Sequence, residues 1–209
     1  MPAQRIGLLG GSFDPPHLAH LALGRLALQV LALDELRWLP AGAPWQKAGR
    51  QLASGTHRAA MLAALLQGET GQVIDTRELA RNGPTYTIDT VRELQAETPG
   101  ADWFFILGQD QYARFDTWRD WPELLQRLTL AVAARAGETP AAPAALAAHP
   151  HRLVLLPLAR QDVSASAIRQ QLAAGTPAVQ LAPLVGEAVA SYIDHHQPYP
   201  RGEAQGIRR

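Results

Sequence analysis

One stretch near the amino terminus decides the fold: Ile6-Gly-Leu-Leu-Gly-Gly-Ser-Phe-Asp-Pro-Pro-His-Leu-Ala-His20. Its apolar beginning is typical of a buried strand. The paired glycines Gly10 and Gly11 predict a tight turn, because residues without a Cβ tolerate positive φ and allow a ligand to approach the backbone. Asp14 suits an N-cap and Pro15 suits the first helical position, so a helix is predicted to begin here. The stretch therefore predicts a strand, a turn and a helix in succession.

This junction has the features of a phosphate site. A helix N-terminus presents N–H groups and the positive end of a dipole, both of which favour an anion. His17 and His20 would share one helix face and could donate hydrogen bonds to phosphate oxygens or to a leaving group. The simplest alternative is a helix that happens to carry two histidines, since isolated H-x-x-H pairs are common. The coincidence with the glycine turn favours phosphate, and metal ligation is disfavoured because no cysteine and no clear third ligand lies nearby.

Composition favours a single globular domain without a general affinity for polyanions. The chain has 209 residues, of which 47% are hydrophobic and 18% charged. Basic and acidic residues are equal at 19 each, which argues against a nucleic-acid binder. The absence of cysteine excludes disulfides, thiolate metal sites and cysteine nucleophiles. We expect a cytoplasmic protein without a membrane partner, because no stretch reaches the ~18 apolar residues of a membrane span.

The rest of the pattern alternates strands with helices. Further strands are predicted over 36–39, 73–79, 103–107, 129–134 and 152–158, and helices after Ser54, Thr87, Asp120 and Ser164, with a last helix over 184–195. This alternation predicts an α/β fold with a doubly wound parallel sheet, in one domain over residues 1–199 with a small C-terminal helical part. Residues 200–209 are expected to form a mobile polar tail.

The sheet topology predicts where a ligand binds. In a doubly wound sheet, ligands lie beyond the carboxyl ends of the strands, where the strand order reverses. With the order three-two-one-four-five, that point lies between the first strand, ending at Gly10, and the fourth, ending at Gly108. Asp110 follows immediately and would face the same crevice.

A second motif carries chemistry, Asp162-Val-Ser-Ala-Ser-Ala-Ile-Arg169. Ser164 as N-cap, Ser166 in the first turn and Arg169 one turn later would surround one point with two hydroxyls, N–H groups and a guanidinium. That arrangement is a second phosphate cradle. The alternative is an ordinary capped amphipathic helix with Arg169 in solvent, and this stretch alone leaves both open.

Two phosphate cradles suit a substrate with several phosphates and a second phosphorylated reactant. A phosphate monoester has a second pKa of about 6 and is largely dianionic at neutral pH, so it needs no strong general base. The barrier is repulsion between anions, which cations and N–H dipoles reduce. The candidate cations are His17, His20, Lys47, Arg135, Arg169 and a magnesium ion.

Both motifs resemble those of the nucleotidyltransferases that carry an H-x-G-H signature. Gly11-Ser-Phe-Asp-Pro-Pro-His-Leu-Ala-His20 resembles G-x-F-D-P-x-H-x-G-H, and Ser164-Ala-Ser-Ala-Ile-Arg169 resembles S-[ST]-T-x-I-R. Within that superfamily the chain looks most like the nicotinate-nucleotide adenylyltransferases, through Asn82-Gly-Pro-Thr-Tyr-Thr87, Phe105-Ile-Leu-Gly-Gln-Asp110, Thr117-Trp118 and residues 189–199. The resemblance implies a Rossmann-like nucleotidyltransferase fold. It also implies transfer of an adenylyl group from ATP, with magnesium, to nicotinate mononucleotide, giving deamido-NAD and pyrophosphate.

The resemblance further implies residue roles. It assigns contacts with the ATP phosphates to His17 and His20, and the binding of the triphosphate to Ser164, Ser166 and Arg169. The other ATP-binding residues would be Gly10, Gly11, Ser12, Phe13, Gly108 and Asp110. Asp110 would bind ribose hydroxyls, and Trp118 would stack on the pyridine ring of the acceptor. Thr87 and the backbone N–H of Arg119 would lie near the pyridine carboxylate. Arg135, one of the candidate cations named above, would be a further substrate contact. The alternatives are purely structural: a place in the core for Trp118 and a helix-cap role for Thr87.

The chain departs from the family pattern at three places. Ala19 replaces the glycine of H-x-G-H, and Ser166 replaces a threonine but keeps its hydroxyl. The family loop P-N-x-x-P-P-H-K reads here as Pro40-Ala-Gly-Ala-Pro-Trp-Gln-Lys47, so that Ala41 replaces Asn and Gln46 replaces His. Lys47 keeps its charge, and the departures put substrate contacts through this loop in question.

Other functions stay open on the sequence alone. The acceptor could be nicotinamide mononucleotide or phosphopantetheine, and the donor could be CTP. A non-catalytic nucleotide sensor and a metal-dependent hydrolase that uses His17 and His20 are the alternatives from other classes. The oligomeric state stays open between a monomer and a homodimer.

Overall fold

A computed structural model describes residues 2–44, 52–134, 137–159 and 162–199 of the chain. Its eight strands in this part are β1 (Arg5–Gly11), β2 (Glu35–Pro40), β3 (Ala43–Pro44), β4 (Gln72–Ile74), β5 (Pro84–Thr85), β6 (Asp102–Gly108), β7 (Thr129–Ala134) and β8 (Leu153–Pro157). The α-helices there are α1 (Leu18–Val30), α2 (Gly55–Leu65), α3 (Arg77–Ala80), α4 (Thr87–Glu97), α5 (Gln109–Tyr112), α6 (Trp121–Arg127), α7 (Ala144–Ala147), α8 (Ala165–Ala173), α9 (Ala182–Val185) and α10 (Glu187–His196). Two 3-10 helices span Phe115–Thr117 and Ala178–Leu181.

Six of these strands form one sheet in the order β4-β2-β1-β6-β7-β8, with parallel pairing at each of its five junctions. The remaining two, β3 and β5, pair with each other. From β1 the chain winds outward to one edge through β2 and β4, then returns to the other side of β1 with β6. The order therefore reverses between β1 and β6, as the sequence predicted, and the carboxyl ends of these strands bring Gly10 and Gly108 to the same edge of the sheet.

Strand β6 shows why both faces of the sheet are covered by helices. Its residues from Trp103 to Leu107 are all buried. Phe104 and Ile106 belong to one hydrophobic cluster, which includes residues of α1, α2, α8 and α10. Trp103, Phe105 and Leu107 belong to the other, which includes residues of α4 and α6. Because side chains alternate along a strand, this continuous apolar run supplies two cores at once.

The predicted strand over 73–79 is shorter in the structure. β4 ends at Ile74, and α3 begins at Arg77. The carboxylate of Asp75 accepts a hydrogen bond from the backbone N–H of Arg77 at 3.1 Å. Such a local bond turns the backbone away from the extended form.

Two helix boundaries also differ from prediction. The first helix begins at Leu18 with His17 as its N-cap, so the predicted start at Asp14 is wrong. The last predicted helix is interrupted at Gly186, where φ is 89°, which separates α9 from α10. By contrast, β7 has the predicted bounds, and α2 and α8 begin directly after the predicted caps Ser54 and Ser164.

Some predictions lie outside the described residues. These concern Gln46, Lys47, Arg135 and residues 200–209. Within the part of the chain that the structure does describe, none of the helices combines the length and the apolar character needed to cross a bilayer.

Candidate functional site

The turn after β1 is built differently from the prediction. Positive φ occurs at Phe13, with a value of 47°, and not at Gly10 or Gly11. Phe13 is buried, and a Cβ added at Gly11 would lie 3.0 Å from its ring. Gly11 is therefore needed for the packing of Phe13, whereas Gly10 is exposed at the end of the strand.

The two histidines of the first motif form one stacked pair. Their ring centroids are 3.7 Å apart at an interplanar angle of 24°. The backbone N–H of His17 donates to Nδ1 of His20 at 3.2 Å. Since Nδ1 accepts, the proton of a neutral His20 ring is on Nε2. Phe13 packs edge-on against the same ring at 5.2 Å, so His20 is held with a defined orientation.

His17 is the more buried residue of this pair and is uncharged at neutral pH. Its side chain is 7% exposed, and burial lowers the pKa of the imidazole to about 4. Its Nδ1 is buried and has no hydrogen-bond partner among the described residues. At neutral pH His17 can therefore act as a hydrogen-bond donor or acceptor but contributes no positive charge.

Asp14 links distant parts of the chain instead of capping α1. Its carboxylate is fully buried, and Oδ1 accepts hydrogen bonds from the N–H of Ala53 at 3.2 Å and from the hydroxyl of Tyr199 at 3.0 Å. Burial raises the pKa of Tyr199, with the negative charge of Asp14 as the next cause, so this hydroxyl stays a donor at physiological pH. These contacts explain why Asp14 does not serve as the predicted cap.

The second motif meets the first at Asp14. Ser164 caps α8 by accepting from the N–H of Ala167 at 3.2 Å. The guanidinium of Arg169 donates through Nη1 to the backbone carbonyl of Asp14 and through Nη2 to Oγ of Ser166 at 3.3 Å. Its side chain is 26% exposed. Arg169 is thus oriented between the two motifs and is not a solvated surface residue.

Sequence reasoning missed Arg58, the buried cation behind this site. It donates to the carbonyls of Ser12 at 2.7 Å, Ala53 at 3.1 Å and Gly42 at 3.4 Å. Burial lowers the pKa of the guanidinium, which the charge of Asp14 partly opposes. The helical spacing in the sequence indicates this burial, because Arg58 lies on the same face of α2 as the apolar residues Met61, Leu62 and Leu65.

The carboxyl end of β6 supplies an open surface. Gly108 precedes α5, and a Cβ added there would have no heavy atom within 4 Å. Asp110 lies in the first turn of α5 and is exposed. Both residues lie beside the end of β1, in agreement with the predicted crevice.

A separate group of residues gathers at the start of α4. Trp118 is half-buried, stacks on Phe115 with centroids 5.2 Å apart, and has an Nε1 that is buried without a partner in the described residues. The guanidinium of Arg119 lies 4.6 Å from the ring centroid of Tyr86, the N-cap of α4. Thr87 is the first residue of that helix and not its cap. The structure thus brings Thr87 and the 118–119 segment to one place, while Trp118 also contributes to the core.

A magnesium ion has no dedicated protein site in the part of the chain that the structure describes. No group of three histidine or acidic residues there could hold a metal ion. The carboxylate nearest to the histidine pair in sequence is that of Asp14; its Oδ1 accepts from Ala53 and Tyr199, and its Oδ2 forms an ion pair with Arg169 at 3.6 Å. Among the described residues, the donors near the histidine pair therefore fit an ion held mainly by phosphate oxygens better than one held by protein ligands alone.

Comparison with known proteins gives consistent matches. The family model described as cytidylyltransferase-like matches residues 8–171. The chain is 54% identical over 204 residues to a protein of Methylibium petroleiphilum named "Probable nicotinate-nucleotide adenylyltransferase", covering 96% of each chain. A protein of the same name from Bordetella pertussis is 47% identical over 203 residues, covering 95% of this chain and all of that one.

Solved structures match in fold. The chain is similar to Plasmodium falciparum nicotinic acid mononucleotide adenylyltransferase complexed with NaAD, with a TM-score of 0.76 and 17% identity over 94% of this chain and 97% of that one. The same enzyme complexed with APC matches with a TM-score of 0.74 and the same identity and coverage. At this identity the likeness concerns the fold alone.

Proposed function

This chain belongs to the cytidylyltransferase-like family and, within it, to the nicotinate-nucleotide adenylyltransferases, and we propose that it transfers the adenylyl group of ATP to nicotinate mononucleotide. The products are deamido-NAD and pyrophosphate. The observation that carries this proposal is the bond from Arg169 to the backbone carbonyl of Asp14, which joins the two phosphate motifs into one site. The relatives' names support the choice of donor and acceptor.

The triphosphate binds between the two motifs. The N-terminus of α8 offers N–H groups and the hydroxyls of Ser164 and Ser166, and Arg169 adds a positive charge. His20 donates from Nε2 on the other side. Gly10, Gly11, Ser12, Phe13, Gly108 and Asp110 hold the nucleoside part, where the exposed end of β1 and the open surface at Gly108 leave room for it.

The reaction is a direct in-line displacement. A phosphate oxygen of the mononucleotide attacks the α-phosphorus of ATP, a new P–O bond forms, and the bond to the pyrophosphate oxygen breaks. The attacking phosphate is already anionic, so no base is needed. His20 and Arg169 stabilise the charge that develops on the transferring phosphate, with His17 holding the ring of His20 through stacking and the backbone bond. Lys47 and Arg135 are proposed as further cations.

Magnesium enters as part of the nucleotide substrate. With the ATP phosphates, such an ion would neutralise charge and supply Lewis-acid stabilisation of the leaving pyrophosphate. No step in the proposal requires a protein carboxylate to hold it.

The acceptor's pyridine ring occupies the region of Trp118. The ring of Trp118 supplies a flat aromatic platform, already supported from behind by Phe115. Thr87 and the backbone N–H of Arg119 bind the pyridine carboxylate, with the N-terminus of α4 contributing its dipole.

The test is release of pyrophosphate with a panel of donors and acceptors. We expect the highest kcat/KM for ATP with nicotinate mononucleotide, compared with CTP, with nicotinamide mononucleotide and with phosphopantetheine. Preference for phosphopantetheine would reject the acceptor while keeping nucleotidyl transfer. Binding of ATP without turnover of any acceptor would instead indicate a nucleotide sensor.

A further inference from the structure

A single buried carboxylate, that of Asp14, is shared by the nucleotide site and the end of the described chain. Two donors engage its Oδ1: the N–H of Ala53 at 3.2 Å and the hydroxyl of Tyr199 at 3.0 Å. Its Oδ2 is buried and has no hydrogen-bond partner among the described residues. Asp14 therefore has unused capacity to accept, directly behind the proposed phosphate site.

Among the described residues, the cation nearest to this oxygen is Arg169, which is also proposed to bind ATP. Nη1 of Arg169 already forms an ion pair with Oδ2 at 3.6 Å, a separation just beyond hydrogen-bond distance. The guanidinium is held by the backbone carbonyl of Asp14 and by Ser166. Its side chain is 26% exposed while that of Asp14 is fully buried, so the guanidinium lies between the carboxylate and solvent.

Asp14 and the nucleotide phosphates are thus competitors for the same guanidinium. A fully buried carboxylate with one oxygen that accepts no hydrogen bond attracts a charged donor within reach, because a buried charge with incomplete hydrogen bonding is unfavourable. Each donor on Oδ1 weakens that attraction. The hydroxyl of Tyr199 is one of the two, and it comes from a residue 185 positions away in sequence.

We propose that Tyr199 is a positioning residue, whose hydrogen bond to Asp14 keeps the guanidinium of Arg169 directed toward the nucleotide phosphates. This inference rests on the proposed function only in taking Arg169 as a phosphate ligand. Tyr199 itself touches no substrate. Its removal should change the affinity for the triphosphate and leave the acceptor half of the site unaffected.

The test compares Tyr199→Phe with Tyr192→Phe. Both substitutions remove one hydroxyl from the C-terminal part of the chain, but the hydroxyl of Tyr192 bonds to His57 at 2.9 Å and not to Asp14. We expect Tyr199→Phe to raise KM for ATP and the dissociation constant of ATP measured by calorimetry about three- to tenfold, the loss of one hydrogen bond. KM for nicotinate mononucleotide should stay unchanged. Tyr192→Phe should have wild-type values of both KM constants and of the dissociation constant of ATP.

A double-mutant cycle with Arg169→Lys identifies the route. If Tyr199 acts through Arg169, the effect of Tyr199→Phe on ATP affinity should largely disappear in the Arg169→Lys background. An unchanged ATP affinity in Tyr199→Phe, equal increases in both KM values, or an additive cycle would each overturn the inference. Calorimetry with ATP alone tests the role of Tyr199 without the acceptor. Failure of the proposed reaction would instead show as absence of turnover in the wild type.

Discussion

The backbone N–H of His17 donates to Nδ1 of His20 at 3.2 Å, so the second histidine of the motif caps the helix that carries it. The bond sets both the tautomer and the orientation of the His20 ring. His20 therefore has a structural role as a helix cap and a proposed chemical role at the ATP phosphates. Substitution can separate the two roles.

Substitution of His20 should affect turnover more than binding. Its hydrogen bond strengthens as charge develops on the transferring phosphate, so His20→Ala should lower kcat about 10²- to 10³-fold. The dissociation constant of ATP, measured by calorimetry, should change much less. His57→Ala, at a partly buried histidine bonded to Tyr192, is the matched control and should keep wild-type kcat. Near-normal turnover in His20→Ala would leave this residue with the capping role alone.

Buried His17 should make stability depend on pH. Its pKa is about 4 in the folded protein against 6.5 for a free histidine, so between these values the unfolded chain binds a proton that the folded chain does not. The free energy of unfolding should therefore rise with pH through this window and level off above it, by up to ~3 kcal/mol from this residue. In His17→Gln, urea unfolding at about pH 5 and about pH 7 should differ less than in the wild type. Identical pH dependence in the two proteins would contradict the assignment.

Loss of Arg58 should destabilise the whole site region. Arg58→Met keeps the length of the side chain but leaves the carbonyls of Ser12, Ala53 and Gly42 without this donor. We expect a loss of about 2–4 kcal/mol in the free energy of unfolding. Arg25→Met, which removes an exposed ion pair with Glu69, should cost less than about 1 kcal/mol. Equal losses in denaturant titrations of the two variants would refute a special role for Arg58.

A methyl group at Gly108 should obstruct the nucleotide without disturbing the fold. The added Cβ would have no heavy atom within 4 Å in the protein, so thermal unfolding should not change. KM for ATP should rise about tenfold, from the ~1–3 kcal/mol typical of overpacking a contact. Gly42→Ala is the opposite case, because its Cβ would lie 2.1 Å from the carbonyl oxygen of Glu78 and should lower the melting temperature. Unchanged KM in Gly108→Ala would place the nucleotide elsewhere.

Trp118 should matter for the acceptor and not for the donor. Trp118→Ala removes the proposed platform and should raise KM for nicotinate mononucleotide about three- to tenfold, the range of one aromatic stacking contact. Trp118→Phe keeps an aromatic face over Phe115 and should have a smaller effect. Steady-state kinetics with each substrate varied in turn would check this. A parallel rise in KM for ATP would indicate loss of packing instead.

Local sequence determined most of the elements. Ser54 and Ser164 cap helices at the predicted positions, and the continuous apolar runs at 103–107 and 129–134 are buried parallel strands. Caps and side-chain periodicity depend on neighbours within a few residues, which is why they could be read from the chain. The alternation of these elements also predicted the order β4-β2-β1-β6-β7 for the first five strands of the sheet and the reversal beside β1. The site residues that fall within the described part of the chain were named from motifs, and their roles stay predictions.

Tertiary structure alone decided how the two motifs are joined. Asp14 is a residue type that often forms a local N-cap. Its partners in the structure are instead Ala53, Arg169 and Tyr199, of which the last two lie 155 and 185 residues away in sequence. A carboxylate can be satisfied by a neighbouring N–H or by a distant donor, and the sequence does not distinguish these choices. Arg58 is the same case, since only the folded chain brings three carbonyls to one guanidinium. The sequence therefore indicated two motifs as candidate phosphate sites, and long-range hydrogen bonding of buried polar groups determined that the two motifs lie together.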